Sequence, residues 1–136
     1  MQPGWRMEFH HDAQHDVVTA HFWNCVMETP EDVERWREEV EVCLARFETK
    51  VDLLINLDGL VVKFAAGRAF GRERAAVLEQ YANSSYRYGG DQTTRTFVST
   101  SGMITGAEVN AYATRDQALQ ALLAARARGQ SVAVRR

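Results

Sequence analysis

Residues 51–57 form the clearest candidate for a buried strand in the chain, and two segments with helical periodicity flank them. Upstream, apolar residues recur at three- and four-residue spacing over residues 33–47, which predicts an amphipathic helix. Downstream, residues 65–82 predict a second helix. A strand this apolar is typical of one that is covered on both faces. We therefore expect an α/β domain with residues 51–57 at the centre of its sheet.

Two of the predicted helices have recognisable start signals. Thr29 is a capping residue, Pro30 follows at the first helical position, and acidic residues fill the first turn. Thr114 and Gln117 have the spacing of a capping box at the start of the last helix. Gly129 then predicts where that helix ends.

The remaining segments predict strands. They are a hairpin over residues 5–10 and 17–23, a β-branched strand over residues 93–100, and short strands over residues 108–112 and 131–134. The order β-β-α-β-α-β-(β)-α-(β) predicts a mixed sheet with the hairpin at one side and helices packed on it. No linker interrupts residues 1–136, so we expect a single domain.

Composition excludes several classes of protein. The formal net charge is −2, which gives no global electrostatic footprint for nucleic acid. No apolar run approaches the roughly 18 residues of a membrane span. The first residues lack the order of a signal peptide, and Cys25 and Cys43 are too few for a disulfide framework. We expect a cytoplasmic protein with two reduced, buried thiols, and one disulfide between them is the alternative.

The order of elements resembles the STAS superfamily, most closely its branch of anti-sigma-factor antagonists (SpoIIAA-like). Four features carry the resemblance. They are an N-terminal pair of strands, the segment 54–60 that leads into a helix through a short apolar loop, the strand 93–100 and the closing segment 109–122. It spans nearly the whole chain and implies the STAS fold. It also implies a non-enzymatic domain that acts through protein contacts and needs no cofactor.

Phosphorylated members of that family carry a serine at the start of the helix after the central strand, within the pattern Asp-Ser-(Ser)-Gly. The equivalent residues here are Phe64, Ala65, Ala66 and Gly67. Gly67 fits, but Phe64 replaces the acidic residue and neither alanine has a hydroxyl. A phosphoserine at this position is chemically impossible, so we expect a regulatory domain without that switch.

The candidate partner- or ligand-binding surface follows the central strand, where α/β domains expose functional loops. It runs from residue 58 through the first turns of the second helix and comprises Asp58, Lys63, Phe64, Gly67, Arg68 and Arg72. The loop is apolar and its rim is basic, which favours an acidic partner or a fatty anion. A solvated helix face that includes Arg74, with Val62 and Phe64 packed beneath the helix, is the alternative.

A second function class is the binding of a small apolar or anionic ligand, because the lipid-carrying Sec14-like fold resembles this branch. Such a protein needs an apolar cavity beneath the second helix, whereas an interaction domain needs a packed core and an exposed patch. Tyr86 and Tyr88, predicted to lie in a loop, are candidates for a binding lip. A small pocket between Asp58, Phe64, Ser101 and Met103 is a further candidate. A third class is a small enzyme, and for this class the sequence shows no arrangement of catalytic residues.

All four histidines fall near the predicted hairpin: His10, His11, His15 and His21. With Asp12 or Asp16 they could hold a metal, but the spacing matches no established zinc pattern. Solvated histidines are the favoured interpretation.

Three tryptophans lie in the first third of the chain: Trp5, Trp23 and Trp36. Aromatic residues are enriched at interfaces, so they predict a homodimer, with a place in the core as the alternative.

Overall fold

The computed structural model describes residues 4–92, 94–96 and 110–134, with side chains up to residue 129. Its elements are β1 (Arg6–Asp12), β2 (Val17–Trp23), β3 (Cys25–Met27), α1 (Pro30–Leu44), β4 (Val51–Asn56), β5 (Leu60–Val62), a 3-10 turn (Phe64–Ala66), α2 (Gly67–Tyr81), β6 (Ala82–Tyr88), β7 (Ala111–Tyr112) and α3 (Arg115–Val134).

The main sheet has five strands in the order β1-β2-β4-β6-β7. β1 and β2 pair antiparallel as a hairpin, and every other neighbouring pair is parallel. Leu54 of β4 lies opposite Thr19 on one side and Tyr86 on the other. The prediction of a mixed sheet, with the hairpin at one side and the strand over residues 51–57 central, is confirmed.

The sheet is covered on both faces. Leu53 points towards α1 and α2 and packs with Trp36 and Phe70. Leu54, the next residue along β4, packs on the opposite face with Tyr86 and with the apolar stripe of α3. Both leucines are at most 2% exposed, as expected for a strand between two helical layers.

Both predicted helix starts are present. The Thr29 side chain accepts a bond from the Asp32 N–H, and the Asp32 carboxylate accepts one from the Thr29 N–H, each at 3.2 Å. At α3, Thr114 Oγ1 accepts from the Gln117 N–H at 3.2 Å, and Gln117 Oε1 accepts from the Ala113 N–H at 3.2 Å. Local side-chain chemistry therefore fixes both helix starts.

The strand after the second helix differs from the prediction. Residues 82–88, predicted to include an aromatic loop, form β6, whereas residues 94–96 of the predicted strand are helical. Residues 97–100 lie outside the described residues. Asp91 accounts for the helical turn, since its Oδ1 accepts the Thr94 N–H at 2.8 Å and its carbonyl accepts the Arg95 N–H at 3.0 Å. This cap outweighs the β preference of the threonines.

The C-terminal segment also differs. Residues 131–134, predicted as an edge strand, continue α3 beyond Gly129. Glycine inside a helix costs only about 1 kcal/mol relative to alanine, which the rest of the helix can offset. Of the predicted strand 108–112, residues 110–112 are described, and β7 comprises the last two of them.

A small second sheet was not predicted. β3 and β5 pair in parallel, with Cys25 opposite Leu60 and Met27 opposite Val62. The Cys25 N–H also donates to the Gly59 carbonyl at 2.9 Å. This pairing draws the segment after the central strand against the body of the domain.

Candidate functional site

The segment that follows β4 is held by backbone hydrogen bonds from its neighbours. The Leu57 N–H donates to the Tyr88 carbonyl and the Lys63 N–H donates to the Met27 carbonyl, both at 2.9 Å. Asp58 lies between them, and its Oδ1 accepts the Gly90 N–H at 2.8 Å. Asp58 therefore joins the ends of β4 and β6, a structural role for a residue predicted to bind a partner.

Most apolar side chains of this segment are not available to a partner. Leu60 is 2% exposed and Val62 is completely buried, because β5 pairs with β3 over the core. The prediction that the apolar residues of this loop face a partner is therefore wrong for these two residues. Phe64 behaves differently, since 89% of it is exposed, so the alternative interpretation holds for Val62 and fails for Phe64.

Four residues with large exposed side chains lie where the chain enters α2: Lys63, Phe64, Arg68 and Arg72. We call them the α2 start surface. Arg68 and Arg72 are four residues apart on α2 and so share a face. Residues 63–72 contain three cationic side chains and no acidic one. Gly67, the first residue of α2, is buried and offers no surface to a partner, contrary to its prediction as a binding residue.

Glu73 is the acidic residue that follows this surface. Its carboxylate bonds Arg37 of α1 and also lies 3.7 Å from Arg72 Nε. These bonds, from Glu73 first and from Glu41, raise the pKa of Arg37 above its ordinary value. Glu73 thus lies between the two helices and also offsets part of the charge of Arg72, so the basic character of the α2 start surface rests mainly on Lys63 and Arg68.

Ala65 and Ala66, which the resemblance places at the position of a phosphorylatable serine, lie at this point of the chain. Ala65 is exposed and Ala66 is completely buried. A buried hydroxyl near this point, that of Thr94, was not singled out from the sequence. It donates to the Leu60 carbonyl at 3.0 Å and accepts from the Val62 N–H at 3.3 Å. It fastens β5 to the turn after β6 and has a structural role.

A cavity lies beneath α2, between that helix, α1 and the sheet. It encloses about 40 Å³, and its lining includes Arg74 of α2 and Arg87 of β6. Arg74 was predicted to lie on a solvated helix face, but only 4% of it is exposed, and Arg87 is completely buried. No periodicity marks either arginine as internal. The predicted pocket beside Asp58 and Phe64 involves residues 101 and 103, which lie outside the described residues.

The two cysteines are free thiols. Cys25 is buried and Cys43 is half-buried. The prediction of buried thiols is therefore confirmed for Cys25 and holds only in part for Cys43. Burial raises the pKa of the Cys25 thiol to about 11, and it raises the pKa of Cys43 as well. Both thiols are therefore protonated at neutral pH, which is unsuited to a nucleophile.

Two of the four histidines, His11 and His15, each contact a carboxylate. His11 Nε2 lies 2.8 Å from Asp16 Oδ1, and His15 Nδ1 lies 2.9 Å from Asp12 Oδ2. The bond with His15 lowers the pKa of Asp12. Within residues 4–92, 94–96 and 110–134, no three or more such side chains gather where a metal ion could bind.

The three tryptophans occupy different environments. Trp36 is part of the core, with its ring centroid 5.1 Å from that of Phe70. Trp5 is half-buried and donates to Glu39, whereas Trp23 is 37% exposed beneath the Arg6 guanidinium. The core alternative holds for Trp36, and the other two lie near one another at the surface.

No helix in the described part of the chain is long and apolar enough to cross a bilayer.

No family model and no curated protein matches this sequence. Among solved structures, the fold is similar to that of the anti-sigma factor antagonist SpoIIAA in its unphosphorylated form, with a TM-score of 0.51. The two sequences are 15% identical, and the likeness covers 88% of this chain and 96% of the other. At that identity the likeness concerns the fold, and it confirms that this chain has the SpoIIAA-like STAS fold that its order of elements predicted.

Proposed function

We propose that the protein is a non-enzymatic regulatory domain that binds an acidic protein partner through the α2 start surface. Its fold is similar to that of an anti-sigma factor antagonist, a protein named for opposing another protein. The proposal places the domain in the cytoplasm, where its two free thiols would stay reduced.

The exposure of Phe64 carries this proposal. Large apolar side chains are usually buried, whereas Phe64 is 89% exposed. Its burial by a partner would contribute about 1.5–3 kcal/mol to the free energy of binding. Lys63, Arg68 and Arg72 surround it in the sequence without an intervening acid. An aromatic anchor with a basic rim suits a partner surface that carries carboxylates.

The alanines at positions 65 and 66 determine how such a contact would be regulated. Phosphorylation there would add about two negative charges next to the basic rim and oppose an acidic partner. This chain has no hydroxyl at either position, so the proposed contact is constitutive at this surface. Control would come from the abundance of the partner or from a second ligand.

The test is a pull-down from an extract of the native host with Lys63→Glu combined with Arg68→Glu. Lys50→Glu with Arg128→Glu is the matched control, because both of those residues are exposed and the change in charge is identical. We expect a partner that is captured by the wild type and the control and lost by the first variant. Circular dichroism verifies that all three proteins are folded. Equal capture by all three would overturn the proposed surface.

A lipid-carrying function is the second candidate, and the cavity beneath α2 bears on it. A single water needs about 10–15 Å³, so 40 Å³ accommodates about three waters and not a lipid chain. The cavity thus supports a small ligand rather than a carried lipid.

The homodimer stays a prediction. Trp5 and Trp23 are the aromatic side chains that it would use, together with the outer edge of β1. Sedimentation at high concentration tests it, since a monomer would remain near 15.4 kDa.

A further inference from the structure

A groove runs along α1 on the flank that faces β1, the edge strand of the main sheet. It is open to solvent and measures about 500 Å³, within the range of about 300–1,000 Å³ that is usual for ligand clefts. Four side chains of low polarity and two carboxylates belong to its lining. They are Trp5, Met7, Val42, Cys43, Glu38 and Glu39. We call these six residues the α1 groove.

The apolar part of the α1 groove is accessible to a partner. Val42 is 72% exposed, whereas Val40, two residues earlier on the same helix, is 3% exposed. A single exposed valine is ordinary, but Val42 adjoins the half-buried side chains of Trp5, Met7 and Cys43. Continuous apolar surface with a polar rim is typical of a protein interaction site.

The indole ring of Trp5 is held in place from two sides. Its Nε1–H donates to the Glu39 carboxylate, and the guanidinium carbon of Arg35 lies 4.2 Å from the centre of the ring. Arg35 Nε in turn lies 3.6 Å from Glu39 Oε2. The α1 groove is therefore formed before a partner arrives, which lowers the conformational entropy lost on binding.

The charge around the α1 groove is negative. Arg6 also lines it, but the Arg6 guanidinium lies 4.0 Å from the Glu8 carboxylate. Glu34 and Glu38 are exposed, and neither forms an ion pair within the described part of the chain. Both precede Val42 at four-residue spacing and so share its face of α1. An apolar surface beside two such carboxylates suits a partner that presents an apolar group between cations.

The α2 start surface of the same chain has this chemistry. Phe64 is 89% exposed, and Lys63 and Arg68 are the exposed cations beside it. The two surfaces share no residue. Arg37 on one flank of α1 bonds Glu73 of α2, whereas the α1 groove lies on the flank that faces β1. The two surfaces thus belong to different flanks of the helical layer, and the formal net charge of −2 opposes the approach of two copies only weakly.

We propose that the α1 groove of one copy receives the α2 start surface of a second copy, with Phe64 against Val42 and the cations facing Glu34 and Glu38. Different surfaces of the two copies meet, so the contact is heterologous and leads to a ring or an open row of copies. The inference rests on the proposed function, because it names a second copy of this chain as an acidic partner of the α2 start surface.

The test is sedimentation equilibrium of the purified protein over a range of concentrations. We expect the average mass to rise above the monomer mass of 15.4 kDa as the concentration increases. Sodium chloride at about 1 M, where the Debye length is about 3 Å, should reduce this rise because the contact depends on charge. A mass that stays at 15.4 kDa at every concentration would overturn the proposal.

Two variants alter one side of the contact each: Lys63→Glu with Arg68→Glu, and Glu34→Lys with Glu38→Lys. Each should weaken self-association about tenfold or more, since each brings like charges together. Their equimolar mixture should associate, because the unchanged groove of the first variant meets the unchanged α2 start surface of the second. A closed pair through the β1 edge would behave differently, since each variant would then associate alone as the wild type does.

Two further variants are matched controls with identical changes in charge: Lys50→Glu with Arg128→Glu, and Glu48→Lys with Glu79→Lys. All four of these residues are exposed and lie outside both surfaces, so both variants should associate as the wild type does. Circular dichroism verifies that every variant is folded. Phe64→Ser changes no charge and should also weaken self-association several-fold, which keeps the test valid if a charge variant does not fold.

Wild-type association by either charge variant of the contact, or a monomeric mixture of the two, would contradict the proposal. The pull-down from the host extract separates its failure from that of the proposed function. Glu34→Lys with Glu38→Lys leaves the α2 start surface unchanged, so this variant should still capture a partner from the extract. Capture that depends on Lys63 and Arg68, together with a purified protein that stays monomeric, would support the proposed function and overturn the contact between copies.

Discussion

Arg126 of α3 donates to the Asp52 carboxylate of β4 at 2.7 Å and so joins the last helix to the central strand. The same guanidinium donates to the carbonyls of His15, at 2.6 Å, and Asp16, at 3.0 Å, in the turn of the N-terminal hairpin. Ser84 of β6 donates to the other oxygen of Asp52 at 2.8 Å. One arginine thereby ties both ends of the chain to the middle of the sheet.

Replacing Arg126 with alanine should lower the free energy of unfolding by about 1–2 kcal/mol, because the hydrogen bonds are charge-assisted but partly exposed to solvent. Arg126→Lys should recover only part of the loss, since an ammonium cannot reproduce the planar fork that serves three acceptors. Urea denaturation measures both. Arg128→Ala, exposed on the same helix, should stay within about 0.5 kcal/mol of the wild type, and an equal loss there would contradict the assignment.

Gly59 has a backbone conformation that only glycine adopts readily, with φ of 80°. A Cβ at this position would run into the carbonyl oxygen of Phe22. Gly59→Ala should therefore lower stability by about 2 kcal/mol or more, through backbone strain and displacement of β5 from β3. Thermal denaturation followed by circular dichroism measures the effect.

Gly129→Ala is the matched control for that substitution. Gly129 lies within α3, and a Cβ there meets no atom within 4 Å. Alanine should raise stability by up to about 1 kcal/mol. If both variants shifted the midpoint in the same direction, the explanation for Gly59 would be wrong.

Local signals in the sequence predicted those parts of the fold that local chemistry determines. The Thr29 and Thr114 caps need only neighbouring residues, and the central strand has apolar residues on both of its faces. β6 escaped prediction because the polar Asn83 and Ser84 follow its first residue and because it contains the buried Arg87, whose environment comes from α2 and β4. Here tertiary packing outweighs composition.

The candidate site was predictable only in part for a similar reason. The basic residues Lys63, Arg68 and Arg72 are exposed as expected. Which apolar residue remains exposed depends on the pairing of β5 with β3, a contact between distant segments that leaves Phe64 outside and Val62 inside. The inward orientation of Arg74 depends likewise on the packing of α2 on the sheet.

The two thiols should differ in reactivity. Cys25 is buried, its Sγ donates to the Arg6 carbonyl at 3.4 Å, and its pKa of about 11 leaves almost no thiolate at pH 7. Cys43 is half-buried and more accessible. Alkylation of the native protein should therefore add one group, at Cys43, and a second only after unfolding. Intact-mass analysis followed by peptide mapping tests this, and early modification of Cys25 would show that β3 opens readily.

His21 should make stability depend on pH just below neutrality. Its ring stacks on that of Trp23. Burial is the largest cause that lowers the pKa of His21, and the nearby His10 lowers it further. Arg115 also lowers this pKa, whereas Glu8 opposes the shift. The unfolded chain, with an ordinary histidine pKa of about 6.5, then binds a proton more readily than the folded chain does. Stability is thus fully present above about pH 6.5 and falls as the pH drops towards the folded-state pKa.

We expect His21→Gln to lose less stability than the wild type between about pH 7.5 and pH 5, because it removes the group whose proton uptake favours unfolding in that window. Urea denaturation at each pH provides the two curves. The range stops at about pH 5 because Asp12, whose pKa is lowered by the bond from His15, adds a further loss as the pH falls below the ordinary aspartate value of about 3.9. Parallel curves for the two proteins would show that the His21 ring is equally accessible to protons in the folded and unfolded chains, contrary to its packing against Trp23.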